Sequence, residues 1–363
     1  MPTARFRRVV TIAATLASTP VADIAGAQSP AARVARAADS IAAIMHADSI
    51  PGLAIAVYQA GVPVLVRAYG YADVGRGRML RPSDPVEVAS VTKQLVAAGI
   101  LRLVDEGRLA LDDSAAHFIP VLGAHYPTVT VRQLLSHTSG VAYVDDALVR
   151  DPPRDDAGAI AVIAAAAPDT TPRTRFAYNN ANFRLLGAVI ERVTGQRWDE
   201  YLAQSFFGPL GMKHTRLCRA RDPERAVGYV MYGGYRKIGT ALPLSATGAA
   251  AGICSSAEDL ARWTVALHSG RLLSAGSYAA MTTPSSGGES GYGLGTMVGS
   301  FGGHRTYFHP GGTSSGARSL VAYFPDGALV VVLLVNAEPV DLGRVEAAIT
   351  GAWYDAVPPT APH

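Results

Sequence analysis

Ser90-Val91-Thr92-Lys93 opens the stretch on which the reading of this chain turns, residues 90–107. Behind it Leu95, Val96, Ile100, Leu103 and Val104 recur at spacings of three and four, which predicts a helix over residues 91–106 that Gly107 ends. A serine at a helix N-terminus meets unpaired backbone N–H groups and the positive end of the helix dipole, where developing negative charge is favoured. The lysine three residues on shares its face, one turn later. The helix is apolar enough to be buried, so Lys93 lies on no obvious solvated face. A desolvated ammonium gives up its proton more easily and can then take the proton of a serine. By itself the pattern equally fits a capping serine followed by a surface lysine.

Upstream, residues 31–47 carry helical apolar spacing, with Val34, Ile41 and Ile44 among alanines. Residues 52–59 and 62–69 are β-rich runs joined by Ala60-Gly61, a hairpin signal. Downstream, residues 131–135, 182–193, 198–206 and 257–268 read as helices between Gly-, Pro- and Ser-rich connections. Strand patterns return at 306–309, 318–324 and 328–335, with Pro325-Asp326-Gly327 as a turn, and residues 342–354 read as a closing helix. Strands at both ends with helices between predict an α+β fold. One antiparallel sheet is built from both chain ends, flanked by helices, with a large, mostly helical insert. The sheet-bearing part is expected at about 28–93 and 290–356, the insert at about 94–289, and a disordered tail at 357–363.

The chain has 363 residues, half of them hydrophobic, enough for a sizeable core. Residues 1–8 are basic, residues 9–17 form a short apolar run, and Ala25-Gly26-Ala27 is a small-x-small cleavage signal. Residues 1–27 are therefore expected to be a signal peptide and the protein exported, periplasmic or secreted. The apolar run is below spanning length and is followed by Pro20 and Asp23, so no stable membrane anchor is expected. Those residues carry Arg5, Arg7, Arg8 and Asp23, so losing them takes the formal charge from +3 to +1. Such a balance has no basic footprint for nucleic acid. Cys218 and Cys254 could pair in an oxidising compartment or lie as two buried thiols. No two histidines stand at helical ligand spacing around a carboxylate, which disfavours a metallohydrolase and predicts no metal or other cofactor.

Two further motifs carry chemistry. Tyr178-Asn179-Asn180 precedes the helix at 182–193; a tyrosine there can share proton transfer and an asparagine can bind an amide. His309-Pro310-Gly311-Gly312 follows the strand at 306–309, and its glycines allow close backbone approach to a ligand. Taken singly, these are a capped helix and a Gly-rich turn. In this order and on these elements, the three motifs resemble the serine hydrolases of the penicillin-binding-protein and class C β-lactamase superfamily. The likeness extends over most of residues 41–353 and includes 134–140, 209–212 and 256–260, read as structural, with no catalytic role for His137.

The resemblance implies that Ser90 is acylated, that Lys93 and Tyr178 manage its proton, and that Asn180 orients the substrate amide or the lysine. It also implies an oxyanion hole from the N–H groups of Ser90 and Gly312, in a substrate-binding strand with His309 and Gly311. Where β-lactamases usually carry lysine this chain has His309, mostly neutral near pH 7, which tilts the choice from β-lactams toward peptides and esters. The expected partner is a small-molecule or peptide substrate: cell-wall peptide, ester or β-lactam. Gly312-Thr313-Ser314-Ser315-Gly316 matches the G-x-S-x-G nucleophile elbow, which requires a helix after it. A non-catalytic binder of cell-wall peptides has no need of an activated nucleophile.

Overall fold

The computed structural model describes residues 29–171, 175–219, 221–232, 235–240, 244–285 and 290–354. The expected signal peptide and tail lie outside them. The N-terminal helix α1 (Pro30–Ala47) starts at Ser29, whose hydroxyl accepts from Ala32 N, with Pro30 in the first turn where its missing N–H costs nothing. A hairpin follows, β1 (Gly52–Gln59) and β2 (Val62–Asp73), then the short β3 (Arg78–Met79) and helix α2 (Thr92–Asp105). In the middle of the chain α3 (Asn180–Thr194) and α4 (Ala257–His268) are the longest helices. The last part supplies β4 (Gly291–Tyr292), β5 (Met297–Phe301), β6 (His304–Thr313), β7 (Ala317–Phe324), β8 (Leu329–Val335) and α5 (Leu342–Tyr354).

These strands form one eight-stranded sheet in the order β3-β2-β1-β8-β7-β6-β5-β4, every adjacent pair antiparallel. The first hairpin joins the last strands through β1 and β8, with Ala54 opposite Leu334. The two ends of the chain thus build one sheet, as the strand pattern predicts.

The run Leu329–Val335 is wholly apolar because both faces of the sheet are covered. Leu329, Val331, Leu333 and Val335 pack with Val34, Ala38 and Ile41 of α1 and Ile349 of α5. Val330, Val332 and Leu334, pointing the other way, join the larger core that contains α2 and α4. In α2, residues Thr92 to Leu101 are all buried, and a Cβ at Gly99 would come within 2.8 Å of Leu202. Burial on every side explains why Lys93 has no route to solvent.

The middle of the chain also holds strands that hydrophobic periodicity missed. Val86–Glu87, Ile253–Ser255 and Arg216–Leu217 make a three-stranded sheet; Tyr229–Tyr232, Tyr235–Ile238 and Ala337–Glu338 make another. Pieces of two to four residues are too short to show a period of two. The first of them matters most, because it leads into Ser90.

Candidate active site

Ser90 is delivered by a strained turn. Val88 N donates to Ile253 O at 3.0 Å, Ala89 takes the left-handed region at φ +48°, and Ala89–Val91 form a 3-10 turn that runs into α2. A non-glycine residue there costs roughly 1 kcal/mol, and such strain gathers where geometry is functional. Strand β6 presses on this turn. A Cβ at Gly311 would lie 2.3 Å from Val88 O and 3.1 Å from Ala89 Cβ, and Ser319 Oγ donates to Val88 O at 2.7 Å.

Lys93 Nζ lies 3.1 Å from Ser90 Oγ, 2.7 Å from Asn180 Oδ1 and 3.0 Å from Ala250 O. The side chain is fully buried, and this desolvation brings the ammonium down to about 7, although the Asp145 charge opposes it. Asn180 is held by Asp145, whose Oδ2 accepts from Nδ2 at 2.5 Å while its Oδ1 accepts from Arg184 Nη1 at 3.1 Å. Tyr178 packs its ring 4.8 Å from Lys93 Nζ. Burial pushes the phenol up to about 12 and a hydrogen bond with Ser90 partly offsets this, while 36% of the residue stays exposed. The Asn at the second position of Tyr178-Asn179-Asn180 caps α3 through Ala181 N, and Asn180 is the first residue of that helix, so α3 begins two residues before the sequence pattern suggests.

His309 is fully buried. Its Nδ1 stands 2.7 Å from Pro310 O, which only accepts, so Nδ1 carries the hydrogen and Nε2 accepts from the Tyr292 hydroxyl at 3.2 Å. Burial, reinforced by the nearby Lys93 charge, holds the imidazole down at about 3. The ring is therefore neutral. His309-Pro310-Gly311-Gly312 is not a turn after the strand: it lies inside β6. The ladder to β5 stops at Phe308, so from His309 onward β6 pairs only with β7, where Gly312 faces Arg318. Proline, which has no N–H to give, is tolerated at such an edge.

The rival serine motif fails on geometry. After Thr313 the chain turns at Ser314–Gly316 and returns as β7, a hairpin with no helix. Ser315 Oγ is buried against Glu87 and Thr313. His137 stays outside proton transfer as well: its Nδ1 accepts from Asn179 N at 3.2 Å, its ring packs 4.4 Å from that of Tyr178, and burial drives it well below the usual histidine range.

The beta-lactamase family model matches residues 37–351. The chain belongs to that family. PbpX of Bacillus subtilis (strain 168) is 30% identical over 305 residues, covering 80% of this chain and 72% of PbpX. Other curated relatives match at 33% identity over 193 residues, and the chain spans only 39% of their length. Among solved structures, the octameric penicillin-binding protein homologue from Pyrococcus abyssi superposes with a TM-score of 0.80 at 25% identity, covering 90% of this chain and 78% of that one. A D-stereospecific amidohydrolase from Streptomyces sp. gives 0.73 at 27%, with 89% and 98% covered. The chain thus carries the beta-lactamase family's sequence pattern on a fold shared with a penicillin-binding-protein homologue and an amidohydrolase.

Of the residues singled out in the sequence, the structure brings Ser90, Lys93, Tyr178 and Asn180 together, sets Gly311 against the Ser90 turn, and places His309 behind Tyr292, its ring 6.5 Å from that of Tyr178. Gly312 lies on the same strand edge. Asp145, Arg184, Tyr292 and the Ala250 carbonyl were not foreseen; an aspartate at the start of a six-residue helix (Asp145–Arg150) carries no local signal of a partner 35 residues away. Cys218 and Cys254 are bonded, and Cys254 pairs with Glu87, so the disulfide sits in the small sheet that carries the Ser90 turn. No cluster of three metal-ligating side chains occurs among the described residues.

Proposed function

We propose that the chain hydrolyses amides or esters of peptide-like substrates through an acyl-enzyme on Ser90, as a D,D-peptidase or esterase. One observation carries this: the three partners of Lys93 Nζ. Asn180 Oδ1 and Ala250 O can only accept, so they take the two N–H bonds of a neutral amine. The remaining lone pair then points to the Ser90 hydroxyl. With its ammonium lowered to about 7, Lys93 is free to take that proton at neutral pH, whereas the Tyr178 phenol, up at about 12, keeps its own.

Acylation follows in balanced steps. Ser90 Oγ bonds to the carbonyl carbon and its proton passes to Lys93 Nζ. The carbonyl becomes an oxyanion facing the N–H groups of Ser90 and Gly312, which lie at a helix start and a strand edge. The carbon–nitrogen or carbon–oxygen bond breaks, and the leaving group takes a proton through Tyr178, which Lys93 replenishes. Water repeats the sequence on the acyl-enzyme. Loss of one oxyanion donor costs roughly a hundred- to a thousandfold in such sites.

The neutral, buried His309 offers no fixed positive charge to a substrate carboxylate, which supports esters and amides that lack one over β-lactams. The likeness to a D-stereospecific amidohydrolase supports the same side of the choice. We place the protein outside the cytoplasm, a reading supported by the signal-like residues 1–27 and by a disulfide, since such bonds persist in oxidising compartments.

A fluorophosphonate probe tests the nucleophile: wild type is expected to label and Ser90→Ala not to. Labelling of Ser90→Ala at the wild-type rate would sink the assignment. Kinetics on a D-alanyl-D-alanine peptide, p-nitrophenyl esters and nitrocefin, side by side, test the substrate class; nitrocefin as the best of the three would overturn it.

A further inference from the structure

After Phe308, strand β6 loses its pairing with β5 and is held by β7 alone, so the Gly312 N–H sits on a strand fixed from one side. Glycine has no side chain that could anchor that donor. The residues after it do. Ser315 Oγ donates to Glu87 Oε2, and Thr313 Oγ1 lies 3.3 Å from the same oxygen and in contact with Ser315 Oγ. Thr313 and Ser315 belong to the Gly312–Gly316 motif that supplies no nucleophile, and Glu87 stands three residues before Ser90. We propose that Glu87 is a positioning residue of the oxyanion hole, clasping the Thr313 and Ser315 hydroxyls so that the Gly312 N–H keeps its place relative to the Ser90 N–H. This role rests on the acyl-enzyme function proposed above.

Each member of the clasp is held in turn. Glu87 pairs across the small sheet with Cys254, which the disulfide ties to Cys218. Its Oε1 accepts from Arg225 Nη1, and Arg225 is brought alongside because Ala226 N donates to Pro85 O at 2.8 Å. The Glu87 and Arg225 side chains are only 17% and 16% exposed and the two hydroxyl residues are buried, so water competes little for these bonds. A hydroxyl bonded to an ionised carboxylate is held roughly twice as strongly as one bonded to a neutral group. That strength suits a donor that must not shift as the carbonyl oxygen gains charge.

Another tie already joins this turn to the sheet, from Ser319 Oγ to Val88 O at 2.7 Å. One tie leaves the turn free to swivel about it. Glu87, the residue before Val88, adds a second and directs it to the end of β6 instead of to β7. The clasp acts on the oxyanion and not on the base, because the charges that bear on Lys93 are those of Asp145 and Arg184. The two roles are therefore separable by experiment.

The test uses the whole chain, with the active fraction of each preparation counted by fluorophosphonate at Ser90, so that misfolded protein does not enter the rates. Glu87→Gln keeps the shape but removes the charge, and Ser315→Ala removes a hydroxyl. Each is expected to lower kcat on a p-nitrophenyl ester, per titrated Ser90, by about ten- to a hundredfold. Phenylboronic acid, which accepts Ser90 Oγ and becomes a tetrahedral anion, should lose affinity by the same factor. The limb near pH 7 that reports Lys93 should stay in place. Combining the two changes should cost no more than the worse of them, because both break one contact. If Glu87→Gln does not fold, Ser315→Ala, which leaves the Glu87–Arg225 pair intact, decides alone. Losses of less than about tenfold, a boronate affinity that does not follow the rate, a limb that moves, or additive losses overturn the proposal. A wild type that neither labels nor turns over the ester overturns the hydrolase reading itself, a result distinct from all of these.

Discussion

Asn180 Oδ1 accepts from Lys93 Nζ at 2.7 Å, so the nearest polar side-chain partner of the buried amine is a neutral carboxamide. A carboxylate in that place would stabilise the ammonium and hold the proton on. The carboxamide repays part of the desolvation through its hydrogen bond but none of it through charge, and the full negative charge of Asp145 is kept one residue further away. That spacing leaves Lys93 near 7, where it exchanges protons at working pH.

The pH profile should report this directly. kcat/KM on a p-nitrophenyl ester is expected to rise through about pH 7 as Lys93 loses its proton. Asn180→Asp puts a charge beside the amine and should move that limb to higher pH by about one to three units. A limb that stays in place in Asn180→Asp would exclude Lys93 as the base.

Asp145→Asn should act in two ways. It leaves Arg184, whose side chain is 6% exposed, buried without its ion-pair partner, and breaking such a pair costs about 3–5 kcal/mol. Urea unfolding measures this. It also removes the charge that favours the Lys93 ammonium, so in whatever enzyme remains folded the alkaline-rising limb should shift to lower pH.

Gly311→Ala tests the close approach of β6 to the nucleophile turn. The new Cβ would meet Val88 O at 2.3 Å and Ser319 Oγ at 2.4 Å; the serine hydroxyl can rotate, but the Val88 carbonyl can yield only if the turn that carries Ser90 moves. Displacement by about 1 Å costs on the order of a hundredfold in rate, so fluorophosphonate labelling should slow by about that factor. Gly123→Ala, where a Cβ meets nothing within 4 Å, is the control and should label normally.

Glu346 on α5 is a buried carboxyl with neither oxygen hydrogen-bonded among the described residues, and burial raises it to about 8. Between the ordinary carboxyl range and pH 8 the folded protein keeps this proton and the unfolded chain does not. Folding stability from this group is therefore full at acid pH and is lost as pH rises toward 8. Glu346→Gln should remove the loss, giving a higher melting temperature than wild type at pH 8 and little difference at pH 4.5. An equal difference at both values would mean that the carboxyl ionises freely in the fold.

Much of the architecture was legible because periodic burial leaves a periodic record. The apolar runs of β7 and β8 and the three-four spacing of α2 each announce an element, and strands at the two ends of the chain imply a shared sheet. The edges were less legible. β6 continues through His309-Pro310-Gly311-Gly312 because β7 pairs with it there, although proline and two glycines read locally as a turn. The strands of two to four residues around Ser90 exist only through their partners.

The sequence by itself determined which groups are available: a serine and a lysine one helical turn apart, a Tyr-x-Asn before a helix, a histidine where an ammonium is usual, and two cysteines. Those follow from residue identity and from spacing within one element, which local geometry controls. Only the tertiary structure decided their state. Burial of α2 on all sides is what lowers Lys93, the Asp145–Arg184 pair reaches Asn180 from separate segments, and Pro310 O with Tyr292 sets the tautomer of His309. Proton affinity and orientation depend on the dielectric and on partners distant along the chain, so they appear only once the segments have been packed together.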